Sequence, residues 1–312
     1  MIEATDLHKF FGDFHAVRGV SLHVAAGEVL ALLGPNGAGK TTTVRMLSAI
    51  LQPSRGSARV AGFDVMAEPQ QVRAHIGLLT EYPGLYARMN GLDYLLFFAK
   101  LLQMQPVAAR RRAEQLLKQF GLWEARERKI DGYSKGMKQK MALIRAMLHD
   151  PPVLFLDEPT TAMDPQSART VRDAINELRS TSRAIVLCTH NLAEAEVLAD
   201  RIAVVRGGQI VAQGSEAQLT AQLLGDPLWE LRMVGSDTDA AQLLAEVVTV
   251  EQVDGALLRY RTADADAVNP LILQRLHSVG LPVIALSAVP QSLEAVYLRI
   301  VDTSEPERMP QA

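Results

Sequence analysis

The chain has 312 residues, 48% hydrophobic and 21% charged, which is enough apolar surface for one large or two ordinary domains. Its formal net charge of −3 gives no overall basic field, so no nucleic-acid partner is expected. A single cysteine, Cys188, cannot form an internal disulfide and suits a reducing compartment; no basic-then-apolar leader opens the chain, and no apolar run reaches the ~18 residues that a membrane span needs.

In chain order, residues 1–33 read as antiparallel strands, with period-two alternation over 16–24 and a turn at Gly27. Within them, Lys9-Phe10-Phe11-Gly12 offers an aromatic with two readings. Phe11 either packs in the core of a sheet or stacks on the base of a nucleotide, with Val17 beside the ribose. The apolar run 29–33 has the character of a buried parallel strand. It leads into Gly34-Pro35-Asn36-Gly37-Ala38-Gly39-Lys40-Thr41, which fits G-x-x-x-x-G-K-[ST]. Residues 42–50 then read as a helix with Val44, Leu47 and Leu51 on one face. Strand, glycine-rich turn and helix aim a row of backbone N–H groups (Asn36, Gly37, Ala38 and Gly39) at an anion. Lys40 would place a point charge on the β- and γ-phosphates. The Thr41 hydroxyl would ligate Mg²⁺, and Thr42 could donate to a phosphate nearer the ribose.

Residues 57–150 form an insertion before the next buried strand. It begins with a strand over 57–62, a short helix over 68–75 and a short strand over 76–79 that ends at Thr80-Glu81. Glu81 is either a solvated strand-end carboxylate or within reach of Mg²⁺ or an attacking water. Residues 82–89 are loop-like, and 90–121 are helical with Leu92, Leu95, Leu96, Ala99 and Leu102 on one face. The run Arg110-Arg111-Arg112 reads as a solvated face rather than a phosphate contact. Tyr133-Ser134-Lys135-Gly136-Met137 precedes a helix that continues through Leu148. Ser134 is a good N-cap, and Gly136 leaves amides uncovered at the positive helix end. The stretch is either a simple cap or a second phosphate site.

Val153-Leu154-Phe155-Leu156-Asp157-Glu158 is an apolar strand ending in two acids, which have little structural reason to be there. Parallel strands deliver site residues at their C-terminal ends, so Asp157 is expected to hold Mg²⁺ and Glu158 to orient and deprotonate water. Thr161-Ala162-Met163-Asp164-Pro165 is a loop into a helix over 166–180. The strand 184–189 ends at His190, placed to reach a γ-phosphate.

Taken together, these motifs resemble the nucleotide-binding subunit of an ABC transporter. Walker A lies at 34–41, a Q-loop equivalent at Glu81, a signature at 133–137, Walker B at 153–158, a D-loop at 162–164 and a switch histidine at His190. The resemblance covers roughly residues 1–220. Its signature, Tyr-Ser-Lys-Gly-Met, keeps the serine and second glycine of the usual Leu-Ser-Gly-Gly-Gln, and Glu81 replaces the usual glutamine. Both departures resemble the bacterial ABC-2 exporter branch, which includes the daunorubicin-resistance type. The resemblance implies ATP with Mg²⁺ as ligands, Phe11 as the adenine-stacking aromatic, and Asp164 in the D-loop. It also implies a head-to-tail dimer in which Ser134 and Gly136 face the γ-phosphate held by the other copy. The partner would be a separate multi-span permease, with this chain peripheral at the cytoplasmic face of the membrane. The rival class is a soluble ABC ATPase acting on nucleic acid or the ribosome. Members of that class resemble paired cassettes or carry long coiled coils, and neither occurs here.

Gly207-Gly208 reads as a hairpin turn, and Ser215-Glu216-Ala217-Gln218 as a capping box. Gly225-Asp226-Pro227 then reads as a linker. Beyond it the order β-α-β-β-α-β suggests a ferredoxin-like unit, followed by a final helix over 292–301. Ser292-Leu293-Glu294-Ala295-Val296-Tyr297 in that helix resembles a C-terminal motif of ABC-2 exporter ATPases. The expected fold is α/β: a P-loop core with an antiparallel β subdomain and a helical subdomain at about 82–150, together spanning 1–224. A small α+β domain over 225–302 and a disordered tail at 303–312 would complete it.

Overall fold

A computed structural model describes residues 1–161, 163–234, 238–290 and 292–302. Ala162 and the expected tail at 303–312 lie outside the described residues. The chain divides into two compact units, Met1–Ser215 and Glu216–Ala312.

In the first unit the elements run β1 (Ile2–Phe11), β2 (Phe14–Val24), β3 (Val29–Leu33), α1 (Lys40–Leu47), β4 (Arg55–Val60), β5 (Phe63–Asp64), α2 (Pro69–Ala74) and β6 (Ile76–Leu79). They continue with α3 (Gly91–Leu101), α4 (Pro106–Gln119), α5 (Lys135–Met147), β7 (Val153–Asp157), α6 (Pro165–Glu177), β8 (Ala184–Thr189), α7 (Leu192–Leu198), β9 (Arg201–Arg206) and β10 (Gln209–Gly214).

Two sheets build this unit. One is antiparallel, in order β2-β1-β4-β5. The other, β10-β9-β3-β8-β7-β6, is parallel except for β10. Every residue of β3, β7 and β8 is buried, as parallel strands covered on both faces require. Leu30, Leu32, Phe155 and Val186 share a core with Val44, Met46 and Leu47 of α1 and with the inward residues of the antiparallel sheet. Fully burying such side chains is worth about 1.5–3 kcal/mol each, which anchors β7 against the cost of burying the acid at its end.

Three sequence expectations shift. The first helix begins at Lys40 rather than Thr42 and stops at Leu47, leaving Ile50 exposed. The helical stretch 90–121 is two helices. Gln103 adopts a positive φ of 56°, and Pro106 opens α4 at a first-turn position where its missing N–H costs nothing. On α3, Tyr94 joins Leu95 and Ala99 on the buried face, where its hydroxyl accepts a bond from Arg145 at 2.8 Å. The arginine run is a salt-bridged surface: Arg110 pairs with Glu114 and Arg112 with Asp150. No helix among the described residues is long and apolar enough to cross a membrane.

The second unit opens with α8 (Glu216–Leu224), then β11 (Leu228–Met233), α9 (Thr238–Leu244), β12 (Thr249–Asp254), β13 (Leu257–Arg261), α10 (Ala265–Ser278), β14 (Val283–Ala288) and α11 (Leu293–Asp302). Its sheet is antiparallel in order β12-β13-β11-β14, with Leu231, Leu258, Tyr260, Ile272 and Leu276 in its core. Unit two starts ahead of the Gly225-Asp226-Pro227 turn because α8 packs on α11, where Leu219, Leu293 and Val296 are buried.

Candidate functional site

The order β3-β8-β7 is what assembles the site. In register, Leu33 lies beside Thr189, and Cys188 beside Asp157. The C-terminal ends of three adjacent strands therefore deliver the P-loop, His190 and the Asp157-Glu158 pair to one edge, where α/β folds keep their sites.

The P-loop turn needs its glycines. Gly39 has φ 101°, and a Cβ there would lie 2.8 Å from the Ala16 carbonyl. Lys40 is 5% exposed. Its Nζ donates to the Gly34 carbonyl at 2.6 Å and the Pro35 carbonyl at 3.2 Å, and lies 3.6 Å from Glu158 Oε1. Thr41 Oγ1 donates to Asp157 Oδ1 at 3.1 Å. Burial pushes the Asp157 carboxyl above the usual carboxylate range; the Thr41 bond pulls it back in part, and the charges of Glu158 and Glu81 push it up.

Glu158 is buried and has φ 50°, a left-handed backbone that costs a non-glycine residue on the order of 1–3 kcal/mol and clusters at functional sites. Its neighbours hold it there. Its N–H donates to the Cys188 carbonyl at 2.9 Å, Thr161 Oγ1 donates to Oε2 at 2.7 Å, and His190 Nδ1 lies 2.9 Å from Oε2. Among the described residues Oε1 has no hydrogen-bond partner, and Lys40 at 3.6 Å is too far to serve as one. An orphaned buried acceptor beside a phosphate cradle is suited to a water or a phosphate-bound group.

A cavity of about 330 Å³ opens over the P-loop from Asn36 to Thr42, walled also by Glu81, Glu158, Ala16, Phe11 and Phe14; Asp157 does not line it, and His190 lines a separate cavity with Thr161 and Glu194. Glu81 also borders a second cavity with Lys138 and Thr161, and its side chain bonds the Tyr82 hydroxyl, raising that group.

Not all expected residues meet here. Val17 is fully buried in the core and offers a ribose no surface; Ala16 lines the cavity in its place. Ser134 caps α5, with Oγ accepting from the Met137 N–H at 3.2 Å. Gly136 abuts Ser167: a Cβ there would lie 3.3 Å from Ser167 Oγ. Asp164 caps α6, accepting from the Ser167 N–H at 2.9 Å; a bond from the Ser167 side chain, and next this backbone bond, hold its carboxyl below the usual range. None of these three borders the P-loop cavity.

Sequence reasoning missed Thr161, Phe14 and the buried Glu194. Glu194 accepts from Thr160 Oγ1 at 2.8 Å, and burial raises its carboxyl. The two-residue Gly12-Asp13 turn could have flagged Phe14, because it makes residues 11 and 14 cross-strand partners. Glu194 gave no signal, since its burial depends on how α7 packs.

A phosphate-cradling P-loop with an acid pair and a histidine at one sheet edge defines a P-loop nucleotide-binding protein. The ABC transporter family model matches residues 17–161. The chain is 36% identical over 308 residues to the daunorubicin/doxorubicin resistance ATP-binding protein DrrA of Streptomyces peucetius, covering 96% of this chain and 92% of that one. It is 33% identical over 305 residues to the Nod factor export ATP-binding protein I of Paraburkholderia xenovorans, covering 96% of each. A solved ATP-binding subunit of an ABC transporter superposes with TM-score 0.66 at 29% identity, covering 72% of this chain and 94% of that one. The chain belongs to the ABC transporter ATP-binding subunits. It is an ATPase that powers a separate permease, and these relatives do not favour the nucleic-acid or ribosome alternative. The likeness in sequence runs past residue 220 through the second unit.

Proposed function

We propose that this chain hydrolyses ATP as a head-to-tail dimer and drives an ABC-2 type exporter from the cytoplasmic face of the membrane. The observation that carries the dimer is the division of the site. Lys40, Thr41, Asp157, Glu158 and His190 hold one another, while Ser134 and Gly136 stand on the same chain outside that cluster. A second copy, turned end for end, would bring its Ser134 and Gly136 to the phosphate held by the first.

In this reading the P-loop amides and Lys40 hold the β- and γ-phosphates, with Lys40 giving up its bonds to Gly34 and Pro35. The Thr41 hydroxyl and Asp157 carboxylate are hard oxygen donors and fit Mg²⁺, which usually takes one or two protein oxygens and completes its shell with phosphate and water. Bound there, the ion would neutralise charge on the transferred phosphoryl group. Glu81 borders the same cavity and contributes its charge to that place. Glu158 Oε1, with no partner among the described residues, takes the proton of the attacking water, and Thr161 and His190 keep Oε2 fixed. Phe11 stacks on the adenine. Asp164, beside α5's neighbour Ser167, belongs with the partner-facing surface. The permease docks on the loop at 82–89, where Tyr82 and Tyr86 are exposed. Relatives whose names carry drug resistance and Nod factor export support the exporter reading.

The test is Glu158→Gln with MgATP on size-exclusion chromatography. The amide keeps the shape but cannot accept the proton, so hydrolysis should fall on the order of 10²–10⁴-fold. A dimer holding two ATP molecules should accumulate. Hydrolysis at the wild-type rate would remove Glu158 as the base, and ATP trapped on a monomer would rule out the shared site.

A further inference from the structure

The β1–β2 hairpin carries aromatic rings on both faces of its tip, and the two faces differ. Phe10 and His15 are cross-strand partners whose rings stack with centroids 3.9 Å apart, and His8 extends the stack at 5.2 Å from His15. His8 Nδ1 lies 3.0 Å from His15 Nε2, and Asp6 holds the other nitrogen of His8 at 3.0 Å. These groups fill that face and stiffen the hairpin.

Phe11 and Phe14 are the next cross-strand pair, closed by the Gly12-Asp13 turn. Pleat alternation turns them to the opposite face, side by side. There they are 49% and 62% exposed, and both line the cavity that the P-loop floors. Lys9 Nζ sits 5.3 Å from the Phe11 ring centroid, held by its bond to the Gln52 carbonyl, so one side of that ring is already occupied. Two phenyl groups left this open beside a polar phosphate cradle lack a flat apolar partner that would remove them from water. The cavity itself supplies the occupant: a nucleotide whose phosphates sit on Asn36–Lys40 extends its base toward the cavity's other wall, which is these two rings.

Resting on the reading of the P-loop as a nucleotide site, we infer that Phe14 is a second aromatic wall for the nucleobase beside Phe11, and that the pair selects purine over pyrimidine nucleotides. A two-ring purine spans both phenyls, whereas a one-ring pyrimidine covers one of them. Phe14 is thus a binding and specificity residue rather than a loop-tip ornament.

Isothermal titration with MgADP, MgCDP and magnesium pyrophosphate tests this without turnover. Stacking on one aromatic ring is worth about 5- to 140-fold in affinity. Phe14→Ala should weaken MgADP by that order, bring MgADP and MgCDP closer together and leave pyrophosphate binding unchanged. Phe14→Tyr, which keeps the ring, should restore the wild-type preference. MgADP affinity in Phe14→Ala within twofold of wild type would overturn the inference, as would an unchanged ADP-to-CDP ratio. Loss of pyrophosphate binding along with ADP would also overturn it, because the residue would then be acting through the fold. Wild-type protein that binds neither pyrophosphate nor MgADP would instead overturn the nucleotide-site reading beneath it.

Discussion

Lys40, Asp157, Glu158 and His190 reach the site from three neighbouring strands and hold each other, while Ser134 and Gly136 sit at the start of α5, where the Ser134 hydroxyl caps the helix. The first set is nearly closed by contacts within one chain: a buried lysine on its own P-loop carbonyls, a hydroxyl on a carboxylate, a histidine and a threonine on one glutamate oxygen. The second set is displayed, since Ser134 is exposed and its hydroxyl does no more than cap a helix. In the proposed head-to-tail dimer the wired half would bind the nucleotide and the presented half of a second copy would complete the site, so that chemistry would wait for the second copy.

The sharpest way to break this contrast is at Ser134, in the Glu158→Gln background with MgATP. Ser134→Arg replaces the hydroxyl with a bulky cation and removes the cap, which alone costs about 0.5–2 kcal/mol. Ser134→Asp keeps the cap but sets a carboxylate where a partner's phosphate would arrive. Both variants should abolish the trapped dimer, and Ser134→Asp should do so with its melting temperature intact. Sedimentation reads the outcome, and a dimer that survives both substitutions would mean that Ser134 faces no partner phosphate.

A smaller effect is expected at Glu81, which borders the wired half without being bonded to it. Its charge helps to raise the Asp157 carboxyl. Glu81→Gln removes that charge, so Asp157 should stay ionised to lower pH. Turnover should be largely retained, and the acid limb of the ATPase pH profile should move down. An acid limb that stays put or moves up would show that Glu81 does not act on Asp157 through charge.

Most of the wired half was legible in the sequence because its parts are local patterns. A glycine-rich turn between strand and helix, and two acids ending an apolar strand, each declare themselves within a few residues. The order β3-β8-β7 was not legible, since nothing in the strand at 184–189 says that it lies between the other two, yet that order is what brings His190 to Glu158. Val17 misled because period-two alternation cannot say which of two adjacent buried residues, Ala16 or Val17, faces a cavity. The division of the chain was also hidden: α8 looks like a continuation of the first unit until its Leu219 is seen buried on α11's side of the boundary. The presented half read correctly as a helix cap, and its second role rested on resemblance alone.

The smallest expected effect concerns the wiring behind the catalytic acid. Glu194 is 1% exposed and accepts bonds from Thr160 and Thr189, and Thr160 adjoins the Thr161 that holds Glu158. Burial raises its carboxyl above the ordinary range, and the nearby charge of Glu158 acts in the same direction. A group whose folded value is raised contributes stability that is fully present below its unfolded value and is lost as pH rises through the folded one. Wild-type protein should therefore lose stability through this group as pH climbs from about 4 toward neutrality. Glu194→Gln has no charge to bury, and threonine hydroxyls can accept from its amide as readily as they donate to the carboxylate. Its melting temperature should match wild type near the acid end and exceed it at neutral pH, where a gain of 1 kcal/mol would appear as about 2–4 °C. Ser134→Ala makes the comparison, since it loses an exposed cap and should lower the melting temperature by the same amount at every pH. A Glu194→Gln difference that is flat with pH, or negative at neutrality, would mean that the hydroxyls and the nearby charge of Arg172 outweigh burial at Glu194.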